Sequence, residues 1–111
     1  MADTPLLPGT LDVMLLQVLA DAPLHGWGIS EAIRERSRDA FRINQGSLYV
    51  ALERMLRRGW VTSAWRITDS NRRARYYTIT TSGRRRLEKE RRRWERTAAA
   101  VSFVLKPHGG R

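Results

Sequence analysis

Three arginines lie close together in the segment NRRARYYTIT, residues 71–80. Arginine carries a permanent positive charge on a planar fork of donors, and this geometry matches phosphate groups and the guanine edge. The residues that follow alternate as in a strand, so Tyr77 and Ile79 are predicted to face a core while Tyr76 and Thr78 face outward. The cluster therefore has the chemistry of a phosphate-binding turn, and a merely solvated turn is the alternative.

The composition of the whole chain also favours a polyanionic partner. Its 111 residues include 21 basic and 11 acidic ones, which gives a formal net charge of +10. Only Lys89 and Lys106 are lysines, so arginine supplies nearly all of the positive charge. Nucleic acid is the first candidate partner for such a basic chain. A bias in the base composition of the gene is the alternative explanation for the arginine excess.

Candidate catalytic groups are sparse. The chain has no cysteine, which excludes disulfides, thiolate zinc sites and cysteine nucleophiles. An enzyme would need a nucleophile with a base, paired carboxylates or a metal cluster. The acids Asp12, Asp21 and Asp39 are instead scattered, and His25 is expected to satisfy backbone donors at the start of a helix. The sequence therefore predicts no catalysis and no metal or cofactor site.

Targeting signals are also missing from the sequence. The N-terminal MADTPLLPGT lacks the pattern of a signal peptide, and no run approaches the roughly 18 apolar residues that a membrane span needs. A cytoplasmic protein without a membrane partner is expected.

The first helix is predicted over LDVMLLQVLA, residues 11–20, with Thr10 as its N-cap. Its apolar residues occupy two stripes. One comprises Leu11, Met14, Leu15, Val18 and Leu19. The second, Val13, Leu16 and Ala20, is expected to meet another chain, because a helix that is apolar nearly all round is normally buried on more than one side. A central core helix in a monomer is the alternative.

A second, amphipathic helix is predicted within LHGWGISEAIRERS, residues 24–37, and FRI, residues 41–43, is predicted to pair as a minor strand. A third helix follows in NQGSLYVALERMLRRGW, residues 44–60. Its apolar residues recur at spacings of three and four, with Asn44 as the cap and Gly59 as the stop.

The other face of the third helix is polar and partly basic, which suits a DNA groove. The side chains predicted to contact DNA are Asn44, Gln45, Ser47, Tyr49 and Arg54. Among them, the hydroxyls of Ser47 and Tyr49 suit phosphates, whereas Gln45 and Arg54 suit base edges.

Two strands, VTSAWRI (61–67) and RYYTIT (75–80), are predicted to form a hairpin across the turn TDSNRRA. Three helices followed by a hairpin are typical of a winged helix-turn-helix, in which the third helix enters the major groove and the hairpin is the wing. The predicted fold class is mainly α with a small β-hairpin (α+β). The arginines expected to contact phosphates or the minor groove are Arg66, Arg72, Arg73 and Arg75.

A last helix of more than twenty residues is predicted after the N-cap, Thr80 or Thr81. Its apolar seam suits a partner helix and comprises Leu87, Trp94, Ala98, Val101 and Leu105. The predicted organisation is a winged helix over 1–80, a dimerisation helix over 81–105 and a disordered tail over 106–111. Ten basic and three acidic residues lie from residue 81 onward, so charge alone would place DNA on this helix.

The chain resembles the PadR-type transcriptional regulators over residues 6 to about 105. The segments that carry the resemblance are GTLDVMLLQVLADAPLHGWGI, GSLYVALERMLRRGWV and NRRARYYTITTSGRRRL. The single last helix is similar to that of the family's compact subgroup. Family members commonly have proline after the tyrosine of the G-[ST]-L-Y motif, where this chain has Val50, and the difference bears on which operator is bound.

The resemblance implies a homodimeric repressor of double-stranded DNA whose fourth helix crosses to the other subunit. A two-fold dimer would set its recognition helices about 34 to 36 Å apart, which predicts a palindromic operator. The resemblance also implies an interface pocket for a planar aromatic effector, lined by Trp94 with Val13 and Leu16. A tryptophan that simply packs in the dimer seam is the alternative.

Two other functions are compatible with the sequence. The first is a basic protein that coats DNA or RNA without sequence preference, whose binding would be almost wholly electrostatic. The second is a winged helix that acts as a protein–protein adapter.

Overall fold

Four helices and three strands make up the part of the chain that the structure, a computed structural model, describes, residues 9–108. In chain order they are α1 (Thr10–Asp21), β1 (Leu24–His25), α2 (Gly26–Arg36), α3 (Gln45–Arg57), β2 (Val61–Ile67), β3 (Arg73–Ile79) and α4 (Thr81–Leu105). This is the predicted α+β winged-helix fold with a long final helix. Within these residues no helix is long and apolar enough to cross a membrane. Residues 1–8 of the predicted first domain, and 109–111 of the predicted tail, lie outside the described residues.

Side-chain caps begin three of the four helices. His25 Nδ1 accepts a hydrogen bond from the Gly28 amide at 3.0 Å, Asn44 Oδ1 accepts one from Ser47 at 3.1 Å, and Thr80 Oγ1 accepts one from the Gly83 amide at 2.9 Å. Each bond satisfies an amide that has no partner within its helix. The predicted capping roles of His25, Asn44 and Thr80 are therefore confirmed.

The start of α1 differs from the prediction. Its N-cap is Gly9, which has a φ of 86° and makes no side-chain capping bond, and Thr10 is already helical. The left-handed backbone at this position suits glycine, so Gly9 and not the threonine side chain sets where the helix begins.

The wing is the predicted hairpin, although its second strand spans Arg73–Ile79 and not the predicted residues 75–80. Strands β2 and β3 pair antiparallel from Val61 opposite Ile79 to Ile67 opposite Arg73. Tyr77 and Ile79 are only 1% and 8% exposed, which confirms the face assigned to them by alternation. The far half of the hairpin extends beyond the core.

The minor strand is β1, Leu24–His25, which pairs antiparallel with β3 and completes a sheet in the order β1–β3–β2. The strand predicted over residues 41–43 is therefore wrong. Phe41 and Ile43 instead pack against the core from a segment without regular secondary structure, because β1 already covers the free edge of β3.

The core lies between α1, α2, α3, the base of the hairpin and the first turns of α4. Its buried apolar residues are Leu15, Leu16, Val18, Leu19, Ile29, Ile33, Leu48, Ala51, Leu52, Met55, Trp60, Val61, Tyr77, Ile79 and Leu87. Leu16 is fully buried and Leu87 is 7% exposed. The sequence predicts that both contact a second chain, and this is corrected: α4 packs along α1, so the two side chains are buried in their own subunit.

The root of α4 is fixed to the end of α3. The Thr80 hydroxyl donates to the Gly59 carbonyl at 2.6 Å, and the Thr80 amide donates to the Trp60 carbonyl at 3.0 Å. A Cβ added at Gly83 would lie 2.1 Å from that same Trp60 oxygen. The guanidinium of Arg86 lies 4.8 Å from the centre of the Trp60 ring. The long helix therefore leaves the domain at a position set by close backbone contact.

Candidate nucleic-acid interface

One face of α3 is left open to solvent. Residues at spacings of three and four are exposed along it, namely Gly46, Tyr49, Val50, Glu53 and Arg57. The opposite face is buried in the core through Leu48, Ala51, Leu52 and Met55. A helix anchored on one side and open on the other has the geometry of a recognition helix, since the major groove admits one α-helix.

At the start of α3, two predicted contact residues are already engaged within the chain. The oxygen of the Asn44 side chain caps the helix, and Gln45 Nε2 donates to Ser30 Oγ at 2.9 Å. Both residues and the neighbouring Ser47 are exposed. The Asn44 and Gln45 side chains are thereby held in position at the N-terminus, where helix amides and the helix dipole favour a phosphate.

Tyr49 lies against the beginning of α2. A Cβ added at Gly26 would be 2.5 Å from the Tyr49 hydroxyl oxygen, so the glycine leaves room for the phenol to rest on the first turn of α2. The tyrosine is still 46% exposed. Its hydroxyl is therefore presented beside a second helix N-terminus, which suits the phosphate contact predicted for it.

Arg54, predicted to contact a base edge, has an acidic partner within the chain. Its guanidinium is ion-paired with the Asp12 carboxylate in the first turn of α1, and the two side chains are 32% and 19% exposed. The arginine therefore lies on the flank of α3 that turns toward α1. The side chains nearest the middle of the open face are instead Val50, Glu53 and Arg57.

Five residues, 68–72, join the strands at the tip of the wing. The Asn71 amide donates to the Thr68 carbonyl at 2.9 Å, and Thr68 and Arg72 close the loop through a backbone bond of 2.7 Å. Asn71 has a φ of 63°, a conformation that asparagine tolerates better than most residues. Arg72 is exposed at the end of this loop, as expected for a phosphate contact.

The predicted wing arginines lie on opposite faces of the hairpin. Arg66 stacks on Tyr76, with its guanidinium 4.9 Å from the ring centre. Arg73 stacks on Trp65 at 4.8 Å. Because side chains alternate along a strand, Arg66 faces away from α3 while Arg73 faces toward it. The structure therefore does not bring all four arginines together on one surface.

Arg75 joins the wing to α3. Its Nε donates to Ser63 Oγ at 2.8 Å, and its Nη1 lies 3.4 Å from the Glu53 carboxylate. The guanidinium is also 5.6 Å from the centre of the Tyr77 ring. Burial raises the pKa of Tyr77, although the charge of Arg75 acts in the opposite direction. With these partners Arg75 spans the gap between wing and recognition helix.

A groove of about 610 Å³ separates the wing from α2 and α3. It is lined by residues of both sides, among them Trp27, Tyr49, Trp65, Arg72 and Arg73. Trp27 and Trp65 are 65% and 60% exposed, and sequence reasoning missed both. Alternation places Trp65 on the same face as the buried Val61. The available signal for Trp65 was the length of the hairpin. The strands extend beyond the core, so an apolar residue in their outer half is left in solvent.

A second, small cavity of about 140 Å³ lies between α1 and α4. Its lining includes Val13, Glu90, Arg93 and Trp94. Leu16, predicted to line an effector pocket with Val13 and Trp94, is not part of it because it is buried in the core. Glu90 is 7% exposed and pairs with Arg86 at 2.6 Å.

Along the rest of α4, apolar side chains remain open. Trp94 is 47% exposed and Ala98 is half-buried. Val101, Phe103, Val104 and Leu105 are 50%, 69%, 82% and 75% exposed. Val13 and Ala20, on α1, are half-buried against the core. Within residues 9–108, no three His, Cys, Asp or Glu side chains are grouped as metal ligands.

An anchored recognition helix beside a basic hairpin is the arrangement of a winged-helix DNA-binding protein. The family model described as "Transcriptional regulator PadR-like family" matches residues 15–89. The chain belongs to that family.

Individual relatives agree with this assignment. Transcriptional regulator Rv3488 of Mycobacterium tuberculosis is 34% identical over 87 residues, which are 78% of each chain. A transcriptional regulator from Clostridium thermocellum is 26% identical in structure-based comparison, with a TM-score of 0.80 over 88% of this chain and 95% of that one. Bacillus subtilis PadR in complex with operator DNA shares the fold at a TM-score of 0.63 and 23% identity, over 71% of this chain and 45% of that one.

Proposed function

We propose that this PadR-family regulator is a homodimeric repressor that binds a palindromic operator in double-stranded DNA and is released by a small effector. The observation that carries the DNA-binding part is the groove between α3 and the wing. It combines an open recognition helix with the exposed arginines Arg72 and Arg73. That Bacillus subtilis PadR has been solved on operator DNA supports the same mode of binding.

Dimerisation is supported by the end of α4. Four large apolar residues, from Val101 to Leu105, are at least half exposed there, and such a patch is typical of a protein interface. A second copy of the chain fits because two such helices, each apolar along a seam, cover one another. We infer the domain organisation predicted from the sequence: residues up to 80 bind DNA, and the helix over 81–105 mediates dimerisation.

A palindromic operator follows from such a dimer. Two-fold symmetry would present two copies of α3 to successive major-groove segments about 34 to 36 Å apart. Repression is then simple occlusion, since a dimer bound across a promoter excludes polymerase from the same DNA. The sign of regulation rests on the resemblance to repressors of this family.

The effector site is proposed at the cavity that contains Trp94. An indole face suits stacking by a planar aromatic molecule. Ligand pockets usually measure about 300 to 1,000 Å³, so a cavity of about 140 Å³ holds such a ligand only if the second subunit extends it. A ligand there releases DNA only if it favours one spacing of the two subunits over another.

Sequence-independent coating of nucleic acid is the competing function. It is favoured by the charge of α4, where exposed basic residues such as Arg85, Lys89 and Arg96 are numerous. Binding of that type is almost wholly electrostatic, so its affinity falls steeply with salt concentration and does not depend on the nucleic-acid sequence.

The deciding experiment is a binding selection from random double-stranded DNA at physiological salt, with structured RNA as competitor. We expect an enriched palindrome whose half-sites are one helical turn apart, bound by a dimer in sedimentation equilibrium. Transcription in vitro from a promoter that overlaps the palindrome should fall when the protein is added. A selected pool with no shared sequence would support the coating function instead.

A further inference from the structure

Val50 is an apolar side chain in an unusual place. It projects from the second turn of α3 and is 67% exposed, on the face opposite the core. A β-branched residue does not stabilise a helix at an exposed position, because its side chain loses rotamer freedom there. Packing within the fold therefore does not explain why an apolar side chain is present at position 50.

The surroundings of Val50 leave its methyl groups uncovered. Gly46 lies one turn earlier on the same face and has no side chain, and Ser47 beside it is small and exposed. Glu53, one turn later, is paired with Arg75 of the wing at 3.4 Å. Val50 is thus an apolar contact point in the early part of a recognition helix.

The major groove offers one matching feature. Among the four bases only thymine carries a methyl group on its major-groove edge, and the other edges present hydrogen-bond donors and acceptors. Valine can satisfy neither donors nor acceptors, so covering a polar edge with it leaves those groups without water or a partner. Contact with a thymine methyl instead removes apolar surface from water on both sides.

We infer that Val50 is a specificity-determining residue that reads the C5 methyl group of one thymine in each half-site. The inference rests on the proposed sequence-specific binding of DNA by α3. Contact of Val50 with a sugar of the DNA backbone would also bury apolar surface, but it would not distinguish one base from another.

Replacement of thymine by uracil tests this directly, because it deletes the methyl group and keeps the base pair. A series of variants is made from the operator obtained by selection. In each variant, uracil replaces one thymine of the half-site and the symmetry-related thymine of the other half-site. We expect one position at which the change weakens binding by about fourfold per half-site, or about 15-fold for the dimer, from the transfer of one methyl group.

The variant Val50→Ala completes the test. Alanine is a better helix former than valine, and the site is exposed, so the fold should be kept. The variant should bind thymine and uracil operators almost equally. The control Ile67→Ala removes an aliphatic side chain on the wing that is 62% exposed, and it should keep the wild-type preference for thymine at that position.

Three results would overturn the inference. Wild-type protein that prefers a sequence but tolerates uracil at every position would refute the role of Val50 and leave the proposed function intact. If Val50→Ala still discriminated between thymine and uracil as strongly as the wild type, a residue other than Val50 would contact the methyl group. Binding without any sequence preference would remove both the inference and the proposed function.

Discussion

The guanidinium of Arg54 in α3 is ion-paired with the carboxylate of Asp12 in α1, 42 residues earlier in the chain. The pair is partly shielded from solvent and joins the flank of the recognition helix to the first turn of α1. A charged bond of this kind restrains how α3 projects from the domain, and it engages Nη2 of the guanidinium, one of the nitrogens that a base contact would use.

Arg54→Met should therefore act on stability more than on sequence preference. Loss of the bond is expected to lower the free energy of unfolding by about 1 to 2 kcal/mol, while the order of preference among operator variants stays as in the wild type. Urea denaturation measures the first effect and competition among operator variants the second. A changed preference order would restore the base-reading role predicted from the sequence.

Arg57→Ala is the matched comparison for Arg54. Arg57 is exposed on the open face of α3 and has no described partner in an ion pair within residues 9–108. Its removal should leave the unfolding free energy within about 0.5 kcal/mol of wild type and weaken binding to DNA.

The arginines of the wing should separate into two classes. Removing Arg72 and Arg73 together is expected to lower the slope of log K against log salt concentration by about one unit for each phosphate that the variant no longer neutralises. Arg75→Ala should weaken operator binding without changing that slope, because Arg75 is engaged by Ser63 and Glu53. Salt titrations of the three proteins on one operator make the measurement. A slope for Arg75→Ala as low as that of the double variant would show that Arg75 binds a phosphate.

Local chemistry explains what the sequence could predict. The caps Asn44 and Thr80 act on amides three residues away, so the pattern that reveals them is short. Alternation along β3 places Tyr77 and Ile79 correctly for the same reason. The bounds of β2 agree with the predicted residues 61–67 because that segment is rich in strand-forming residues between two turn signals.

Contacts between distant elements explain what the sequence could not predict. β1 consists of only two residues, too few for any periodicity, and it exists because β3 offers a free edge. Leu16 had the spacing of a second apolar stripe, yet whether that stripe meets α4 of the same chain or another chain depends on how α4 folds back. The pairing of Arg54 with Asp12 likewise requires knowledge of the helix arrangement.

Gly83 should be essential for the attachment of α4. In Gly83→Ala the new methyl group would lie 2.1 Å from the Trp60 carbonyl oxygen, and backbone there is itself bonded to Thr80. Forced overlap of this type usually costs about 1 to 3 kcal/mol or more, so the midpoint of thermal unfolding should fall. Ser82→Ala, at an exposed position of the same turn, is the control and should unfold like the wild type.

The apolar end of α4 should control assembly. In the double variant Val101→Asp, Val104→Asp, two charges would be buried in the proposed interface without partners, which is strongly unfavourable. We expect a folded monomer in sedimentation equilibrium, with wild-type helix content by circular dichroism and much weaker binding to a palindrome. Ser102→Asp places a charge on the same turn at an exposed polar position and should affect assembly less. A double variant that remains dimeric would exclude this patch as the main interface.

Trp94 tests the effector site and its coupling to DNA. A planar aromatic ligand that binds the proposed pocket should quench tryptophan fluorescence in the wild type and much less in Trp94→Phe, whereas Trp27→Phe, which changes an indole at the DNA groove, should retain the quenching. Linkage adds a stricter requirement. If the ligand weakens operator binding by some factor, the operator must weaken ligand binding by the same factor. Titration of the ligand against free and operator-bound protein measures both. A ligand that binds at Trp94 with equal affinity in the two states would occupy the pocket without acting as an inducer, and control of this regulator would then lie elsewhere in the molecule.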